Sequence, residues 1–531
     1  MIKSPENFFE KVKKKFDKTD RNIVITTFVL GLITNFYFLI RDGLAPDALS
    51  ADYLHIAGPW EIQLGRFSLQ ILDNVRFGFV NQLIIILLSL LFMSGFIMLI
   101  RRIFKIKSNI LLFLLTSIVV VAPQFTETYM FLYCADSYLL AFFTSALAVF
   151  SLSKIESIKT SKRWIFLAFI STILISSLYQ AYLGVLLGLV VIYAIYEVFE
   201  KGTKTALKHF VRNAIIIFIG ICAYYVAFRA FCKLYHVRPS SYKGADGLGL
   251  STLRALPDTI KGAFTDFYNF FFAESGIINN AYYHRGLIYI GLAIAGILAL
   301  FKNFKSEKKE RVGKIFTVLL LLAVFPIAVN IMNLIATGTR INLVTGPGIL
   351  MTVVLFIILI DRLKEGSFEN LIRWASIILL VVLGWTYLIS NVHTYVARSN
   401  QYNEFKTISE NIYEKATALN DYKKDMPFLF SNAIVTPAEE FEKTNGMVTG
   451  NTISWLGYAG IERYTLFFEK YLGIKIKAAD KDQYKAIIET DEFKEMEIYP
   501  ENESVKIIDG VVVVKISNEV LIDKAGEVIE W

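Results

Sequence analysis

Between Asp42 and Val80 the chain reads DGLAPDALSADYLHIAGPWEIQLGRFSLQILDNVRFGFV, which sets Asp47, Asp52, Glu61, Arg66, Asp73 and Arg76 between two long apolar runs. An aspartate with an ordinary pKa of about 3.9 is ionised at neutral pH and can take the proton of an attacking sugar hydroxyl. Asp47, directly after Pro46, and Asp52 both suit that role, and their spacing does not choose between them. The PWEIQLGRF run that follows brings Trp60, Glu61 and Arg66 together. Aromatic rings stack on sugar faces, and a guanidinium forks onto phosphate oxygens. Each of these residues also has a plainer use: loop carboxylates are solvated, Trp60 and Phe67 anchor at a membrane interface, and Arg66 meets a phospholipid headgroup.

A second cation stands apart. Residues 337–348, TGTRINLVTGPG, carry Arg340 with few other basic residues nearby. An isolated arginine beside a bilayer needs an anion, which a substrate phosphate or a loop carboxylate would supply. Asn330 and Asn333, on the apolar run before it, either continue a polar lining or bond helix to helix. Tyr179 and Gln180 interrupt the near-continuous apolar stretch 164–199 and offer polar groups there. Glu127 and Asp136 flank a short segment at 126–135, where Asp136 either caps a helix starting at Ser137 or sits at a cavity mouth. In 233–285, the AFTDFYNFFFAES run at 263–275 reads as an interfacial helix, and His284 is a lone histidine rather than a metal ligand. No Cys/His or carboxylate set has metal-ligand spacing, so neither a divalent metal nor another cofactor is expected.

The elements that must hold these residues follow from composition. The chain has 531 residues, 55 % hydrophobic and only 19 % charged, with a mean hydropathy of +0.49. Such a balance belongs to an integral membrane protein. A net charge of +8 raises nucleic acid as a partner, but the basic residues gather at the ends of apolar runs, which is a topology signal and not a nucleic-acid footprint. Apolar runs long enough for a bilayer of roughly 30 Å lie near 22–41, 81–101, 108–126, 136–153, 164–178, 180–199, 212–232, 286–302, 314–336, 346–361 and 372–391, about eleven helices. The first continues without a small-residue cleavage site and reads as a transmembrane helix rather than a signal peptide. Cys134, Cys222 and Cys232 form no paired motif and read as packing residues.

With a cut at Tyr179–Gln180, the basic intervals 11–18, 101–107, 154–163, 201–212, 302–314 and 361–373 all fall on one side, which the positive-inside rule makes cytoplasmic. The segments 42–80, 126–135, 233–285 and 337–345 then face outward. The expected plan is a basic N-terminus at 1–21, a membrane domain at 22–395 with outward loops 42–80 and 233–285, and an outward soluble domain at 396–531. In that tail, Tyr402, Phe405, Ile408, Ile412 and Ala416 mark an amphipathic helix over 396–420, and Asp509-Gly510 before VVVVKI marks a β-hairpin in a small α+β domain.

These pieces resemble the bacterial and phage serotype-converting glucosyltransferases, a membrane family of the GT-C class. The resemblance rests on the acidic first outward loop leading into WEIQLGRF, on SSLYQAYLGVLLGLVV at 176–191, on the GTRINLV loop and on the amphipathic helix after the last span. It covers most of residues 22–410. It implies an all-α polytopic, GT-C-like enzyme of the bacterial cytoplasmic membrane, with its N-terminus inside, that moves a hexose, most simply glucose, from a polyprenyl-phosphate carrier to a cell-surface glycan with inversion. A carrier-charging glycosyltransferase and a flippase would be its partners, beside the bilayer. The family's acidic base falls on Asp47 or Asp52, although adjacent acidic residues are the family pattern and these two are separated. Arg340, Arg66, Trp60, Glu61, Tyr179 and Gln180 are the expected substrate contacts. The competing readings are a transporter or flippase for a lipid-linked glycan, which would need polar residues through the span centres, and a polysaccharide polymerase or ligase.

Overall fold

The structure, a computed structural model, describes residues 16–41, 48, 49, 51, 54–157, 159–241, 250–272, 283–304, 308–336, 342–432 and 461–519. The chain divides into two compact units, Met1–Phe36 with Tyr53–Asn391, and Tyr37–Asp52 with Val392–Trp531. Asp47, Asp52 and Arg340 lie outside the described residues.

The first unit is helical throughout. Its helices are α1 (Lys18–Ile40, whose last turn passes into the second unit), α2 (Pro59–Gln63), α3 (Phe67–Val75), α4 (Gln82–Phe104), α5 (Asn109–Val120), α6 (Pro123–Met130), α7 (Leu132–Ser153), α8 (Lys162–Leu178) and α9 (Leu183–Lys201). They continue with α10 (Thr203–Leu234), α11 (Leu250–Phe272), α12 (Tyr283–Asn303), α13 (Lys308–Val329), α14 (Met332–Ile335), α15 (Met351–Asp361) and α16 (Ser367–Thr417, which from Val392 on belongs to the second unit). Among the described residues nine segments are long and apolar enough to cross a membrane. Each of the eleven expected spans has its helix, but α8 and α15 fall short of that length on their own, and α5 reaches it only together with α6. Exposed Phe166, Ile215, Phe218, Phe316 and Trp385 are the lipid-facing surface such a bundle requires.

Local chemistry sets the breaks between helices. At the basic end, Arg101 reaches Asp17 and Asp20 while Arg102 reaches Asp20, tying α4 to the start of α1. The Arg101 guanidinium holds the Asp17 carboxyl down at about 2. Asp361, at the end of α15, accepts the backbone N–H groups of Lys107 and Ser108 and so holds the turn before α5, whose N-cap Ser108 accepts the Leu111 N–H. The cut expected at Tyr179 is present: the residue is extended (φ −162°, ψ 114°) and a 3₁₀ turn, Gln180–Tyr182, leads into α9. The expected open segment at 126–135 is instead the short helix α6, restarted by Pro123 at its first turn and buried along its whole length, Glu127 included. Asp136 consequently lies inside α7 and caps nothing.

Around α9 the backbones come close. Gly184 and Gly348 face each other across the carbonyl of Val329, and a Cβ on either glycine would run into that backbone oxygen. Gly188, one turn on, meets the Val329 and Met351 side chains. Small residues at this spacing let helices pack without a hydrophobic drive from water. The aromatic helix α11 is likewise packed into the bundle: Asn330 donates to the Ala263 carbonyl, Asn333 donates to Asp266, and Phe267 and Phe271 contact Phe325 and Tyr289. Phe264, Tyr268 and Phe272 remain exposed on its other face, so the interfacial reading describes one side of the helix only.

The second unit is a three-layer arrangement. β1 (Pro427–Phe430), β2 (Lys477–Ala478), β3 (Val505–Ile508) and β4 (Val511–Val514) form one sheet in the order β2-β1-β4-β3. β3 and β4 make the expected hairpin, turning at Asp509 (φ 48°) and Gly510 (φ 75°), whereas β1 pairs parallel with both β2 and β4. Phe428, Phe430, Val512 and Val514 face a core with Tyr402, Phe405, Ile412 and Ala416 of α16, while Leu429, Val511 and Val513 face α18 (Lys481–Glu489; α17 is Ile461–Phe467). The five periodic residues thus do form a packing face, but their helix is continuous with the last span, because no glycine or proline interrupts it after Gly384. Leu49, 2 % exposed, belongs to the same core.

The glycine crossing gives a direct check. Gly184→Ala or Gly348→Ala should lower the thermal midpoint of the detergent-solubilised chain by the equivalent of about 1–3 kcal/mol, since the obstruction is backbone and cannot rotate away. Gly313→Ala, on α13 with open space around it, should leave the midpoint unchanged or raise it. Equal midpoints for Gly184→Ala and Gly313→Ala would contradict the packing.

Candidate functional site

Residues 54–80 fold against α7 and against the break between α8 and α9. α2 begins at Pro59, and the Glu61 carboxylate accepts the Gly58 backbone N–H at 2.7 Å, closing that short helix on itself. Two residues after α2, Gly65 adopts φ +77°, and a side chain there would strike the Tyr224 hydroxyl. The Tyr224 hydroxyl donates to the Gly65 carbonyl at 3.2 Å and accepts from the Gln180 amide at 2.8 Å; the same amide donates to the Leu64 carbonyl at 2.7 Å. Ser68 and Ser177 bond at 2.7 Å, and Phe67 stacks on Phe231 with centroids 4.4 Å apart. Phe67 is therefore a core residue, not an interfacial anchor. Gln180 acts as a stitch for the loop backbone, and Trp60, 51 % exposed, is the open aromatic of the group.

This stitching fixes Arg66, the residue that precedes α3. Its guanidinium lies over the Tyr179 ring, 4.5 Å from the centroid, and one Nη donates to the Tyr138 hydroxyl at 3.2 Å. Tyr138 and Tyr179 are themselves stacked 4.2 Å apart and nearly parallel, at 11°. The Arg66 Nε is buried without a hydrogen-bond partner, and no carboxylate among the described residues lies within ion-pair distance of the guanidinium. A cation seated on aromatic faces with donors to spare is a place for an anion.

At the other end of α3, Arg76 has the opposite environment. One Nη donates to Asp136 at 2.6 Å, and the other to Asp73 at 2.6 Å and to the Tyr133 carbonyl at 2.7 Å. Asp73 accepts the Ala57 backbone N–H with its second oxygen, at 2.8 Å. Side-chain exposures of 10 %, 2 % and 12 % for Arg76, Asp73 and Asp136 make this a buried junction. Burial outweighs the Ala57 N–H and the Arg76 charge, and pushes the Asp73 carboxyl up to about 6. Burial also pulls the His55 imidazole below its usual range, toward the neutral form, where its ring meets Tyr133 at 4.6 Å. Arg66 and Arg76 thus leave the two ends of α3 and converge on residues 133–138 of α7, about 7.5 Å of helix rise.

Of the residues expected from the sequence, the structure brings Arg66, Tyr179 and Gln180 together, places Glu61 in a helix cap and leaves Trp60 exposed nearby. Tyr138, Tyr224 and the Asp73–Arg76–Asp136 junction were not among the expected contacts. The i, i+3 spacing of Asp73 and Arg76 and the polar run YCADSY at 133–138 were the available signals. No group of three or more His, Cys, Asp or Glu residues able to hold a metal occurs among the described residues.

A family model described as Glucosyl transferase GtrII matches residues 36–360, a range that takes in the 42–80 loop, Arg66, Asp136, Tyr179 and Arg340. No curated protein and no solved structure matches the chain.

The two ends of α3 differ in how they respond to pH. Because the folded-state pKa of Asp73 is raised from 3.8 to about 6, the folded protein holds that proton longer than the unfolded chain does. Its contribution to stability is full below 3.8 and is lost as pH rises through about 6. Asp73→Asn should therefore flatten the fall in thermal midpoint between pH 4.5 and pH 7. A fall as steep as that of the wild type would show that Asp73 does not titrate in this window.

Proposed function

The chain belongs to the GtrII glucosyl transferase family, and from that premise we infer that this glucosyltransferase takes its sugar from a polyprenyl-phosphate carrier and passes it to a cell-surface glycan outside the bacterial cytoplasmic membrane. The observation that carries the reading is Arg66, a guanidinium held on Tyr179 and Tyr138 with no carboxylate partner among the described residues. The departing group of such a donor is a phosphate, already a stable anion, so the reaction needs cations to hold its growing charge more than it needs an acid. Arg66 and Arg340 take that role. Membrane helices suit the lipid tail of the donor, and the distribution of basic intervals supports an outward loop and a cytoplasmic N-terminus. The second unit is then extracytoplasmic, and a carrier-charging transferase and a flippase supply the donor.

Chemically, the acceptor hydroxyl oxygen attacks C1 of the glucose from the face opposite the phosphate. The C1–O bond to the phosphate breaks, the hydroxyl proton passes to Asp47 or Asp52, and polyprenyl phosphate leaves with the bonding pair, giving inversion at C1. A base of this kind contributes about 10²–10⁴-fold. No metal is assigned a step.

Arg66→Gln should lower kcat/KM for transfer from polyprenyl-phosphate glucose by about 10²–10³-fold. Arg66→Lys should recover only part of it, since an ammonium neither forks nor lies flat on Tyr179. One of Asp47→Asn and Asp52→Asn should lose the rate while the other retains it. Radiolabelled glucose counted into glycan by membranes bearing each variant provides the measurement. Wild-type rates in Arg66→Gln, or in the double aspartate variant, would refute the corresponding role.

A further inference from the structure

The Asp73–Arg76–Asp136 junction has no part in holding the carrier phosphate, and its two aspartates are not equivalent. Asp73 has both oxygens engaged, one by Arg76 and one by the Ala57 N–H. Asp136 gives one oxygen to Arg76 and otherwise meets backbone N–H groups of its own turn, at Asp136 and Ser137, with no second side chain on it among the described residues. The junction lies beside Arg66: Cys134 is within electrostatic reach of Arg66, Asp73 and Asp136 together, and Tyr138, which Arg66 contacts, is two residues along α7 from Asp136. His55, Glu61 and Tyr133 complete the titratable groups of this patch.

In a polyprenyl-phosphate sugar the ring is bonded directly to a phosphate oxygen. A phosphate held at Arg66 therefore brings the hexose hydroxyls to within a few bonds' length of the guanidinium, where residues 133–138 stand. A carboxylate is the strongest acceptor a protein can offer a hydroxyl, and one held rigidly by an arginine keeps its direction. A buried site built to bond a particular hydroxyl rejects the analogue that lacks it, because its own polar group is then left without a partner.

We propose that Asp136, fixed in place by Arg76, is a specificity-determining residue that accepts a hydrogen bond from one hydroxyl of the hexose carried on the lipid. The proposal rests on the reading of Arg66 as the carrier-phosphate site. Arg76 and Asp73 are positioning residues for Asp136: Arg76 holds its carboxylate, and Asp73 holds Arg76.

The test compares polyprenyl-phosphate glucose with its 2-, 3-, 4- and 6-deoxy analogues as donors for the full chain in proteoliposomes. The wild type should lose at least tenfold in kcat/KM for one analogue. Asp136→Asn should lose a similar factor with glucose itself and become indifferent to that same analogue, the signature of a broken pairwise contact. Sugar-free polyprenyl phosphate should inhibit Asp136→Asn as well as it inhibits the wild type. If Asp136→Asn does not fold, Asp136→Glu, which keeps the charge but moves it by one methylene, replaces it, and the sensitivity to that analogue should fall. An unchanged profile of analogue sensitivity in whichever variant folds, or no sensitive hydroxyl in the wild type, overturns the proposal. Unchanged inhibition of Arg66→Gln by sugar-free polyprenyl phosphate would instead overturn the phosphate reading, so the two failures are read from different columns of the same experiment.

Discussion

The guanidinium of Arg76 sits between an aspartate of its own helix and an aspartate of the membrane-spanning helix α7, and it also bonds the Tyr133 carbonyl of α7. This junction holds the far end of α3 against the bundle. Removing one partner of a buried pair costs about 3–5 kcal/mol, because the other charge is left without compensation. With one end of α3 held in this way, the other end delivers Arg66 onto Tyr179. The proposed chemistry rests on the contrast between the two arginines: Arg76 is paired with two carboxylates, while Arg66 lies on aromatic rings with no carboxylate partner among the described residues.

The helix break at Tyr179 is the second requirement. An uninterrupted helix would direct its polar groups into its own backbone ladder. The extended Tyr179 and the 3₁₀ turn after it present the Tyr179 ring to Arg66 and the Gln180 amide to the Leu64 carbonyl. Gly65 completes the fit, because its positive φ and its contact with the Tyr224 hydroxyl leave no room for a side chain. Close packing of Gly184 and Gly348 at the Val329 carbonyl holds the start of α9 near the same level of the bundle. The residues of the candidate site are thus placed by backbone features that span three separate stretches of the chain.

Much of this was legible in the sequence, for physical reasons that differ from element to element. Hydrophobic runs and basic intervals report the solvent around each span, so the helices and the cut at Tyr179–Gln180 followed from hydropathy and charge alone. The hairpin at Asp509-Gly510 followed from turn chemistry. Arg66 was noticed because a cation between apolar runs is conspicuous, but its tyrosine cradle joins residues 66, 138 and 179, and pairings at that separation leave no local pattern. For the same reason Asp136 resembled a helix cap: only the folded loop reveals that its partner is Arg76. The parallel pairing of β1 with β4 joins strands far apart in sequence and likewise has no local signal, and the fall in hydropathy after Asn391 does not end α16, because a change of polarity does not end a helix in the absence of glycine or proline.

The account stands or falls on the anion held by Arg66. Equilibrium binding of sugar-free polyprenyl phosphate to the full chain in lipid nanodiscs, wild type against Arg66→Gln, tests it without depending on the acceptor, the base or the rate of transfer. Binding should weaken at least tenfold in Arg66→Gln, with the uncharged polyprenyl alcohol binding both proteins alike. Equal affinity of the two proteins for the phosphate would contradict it.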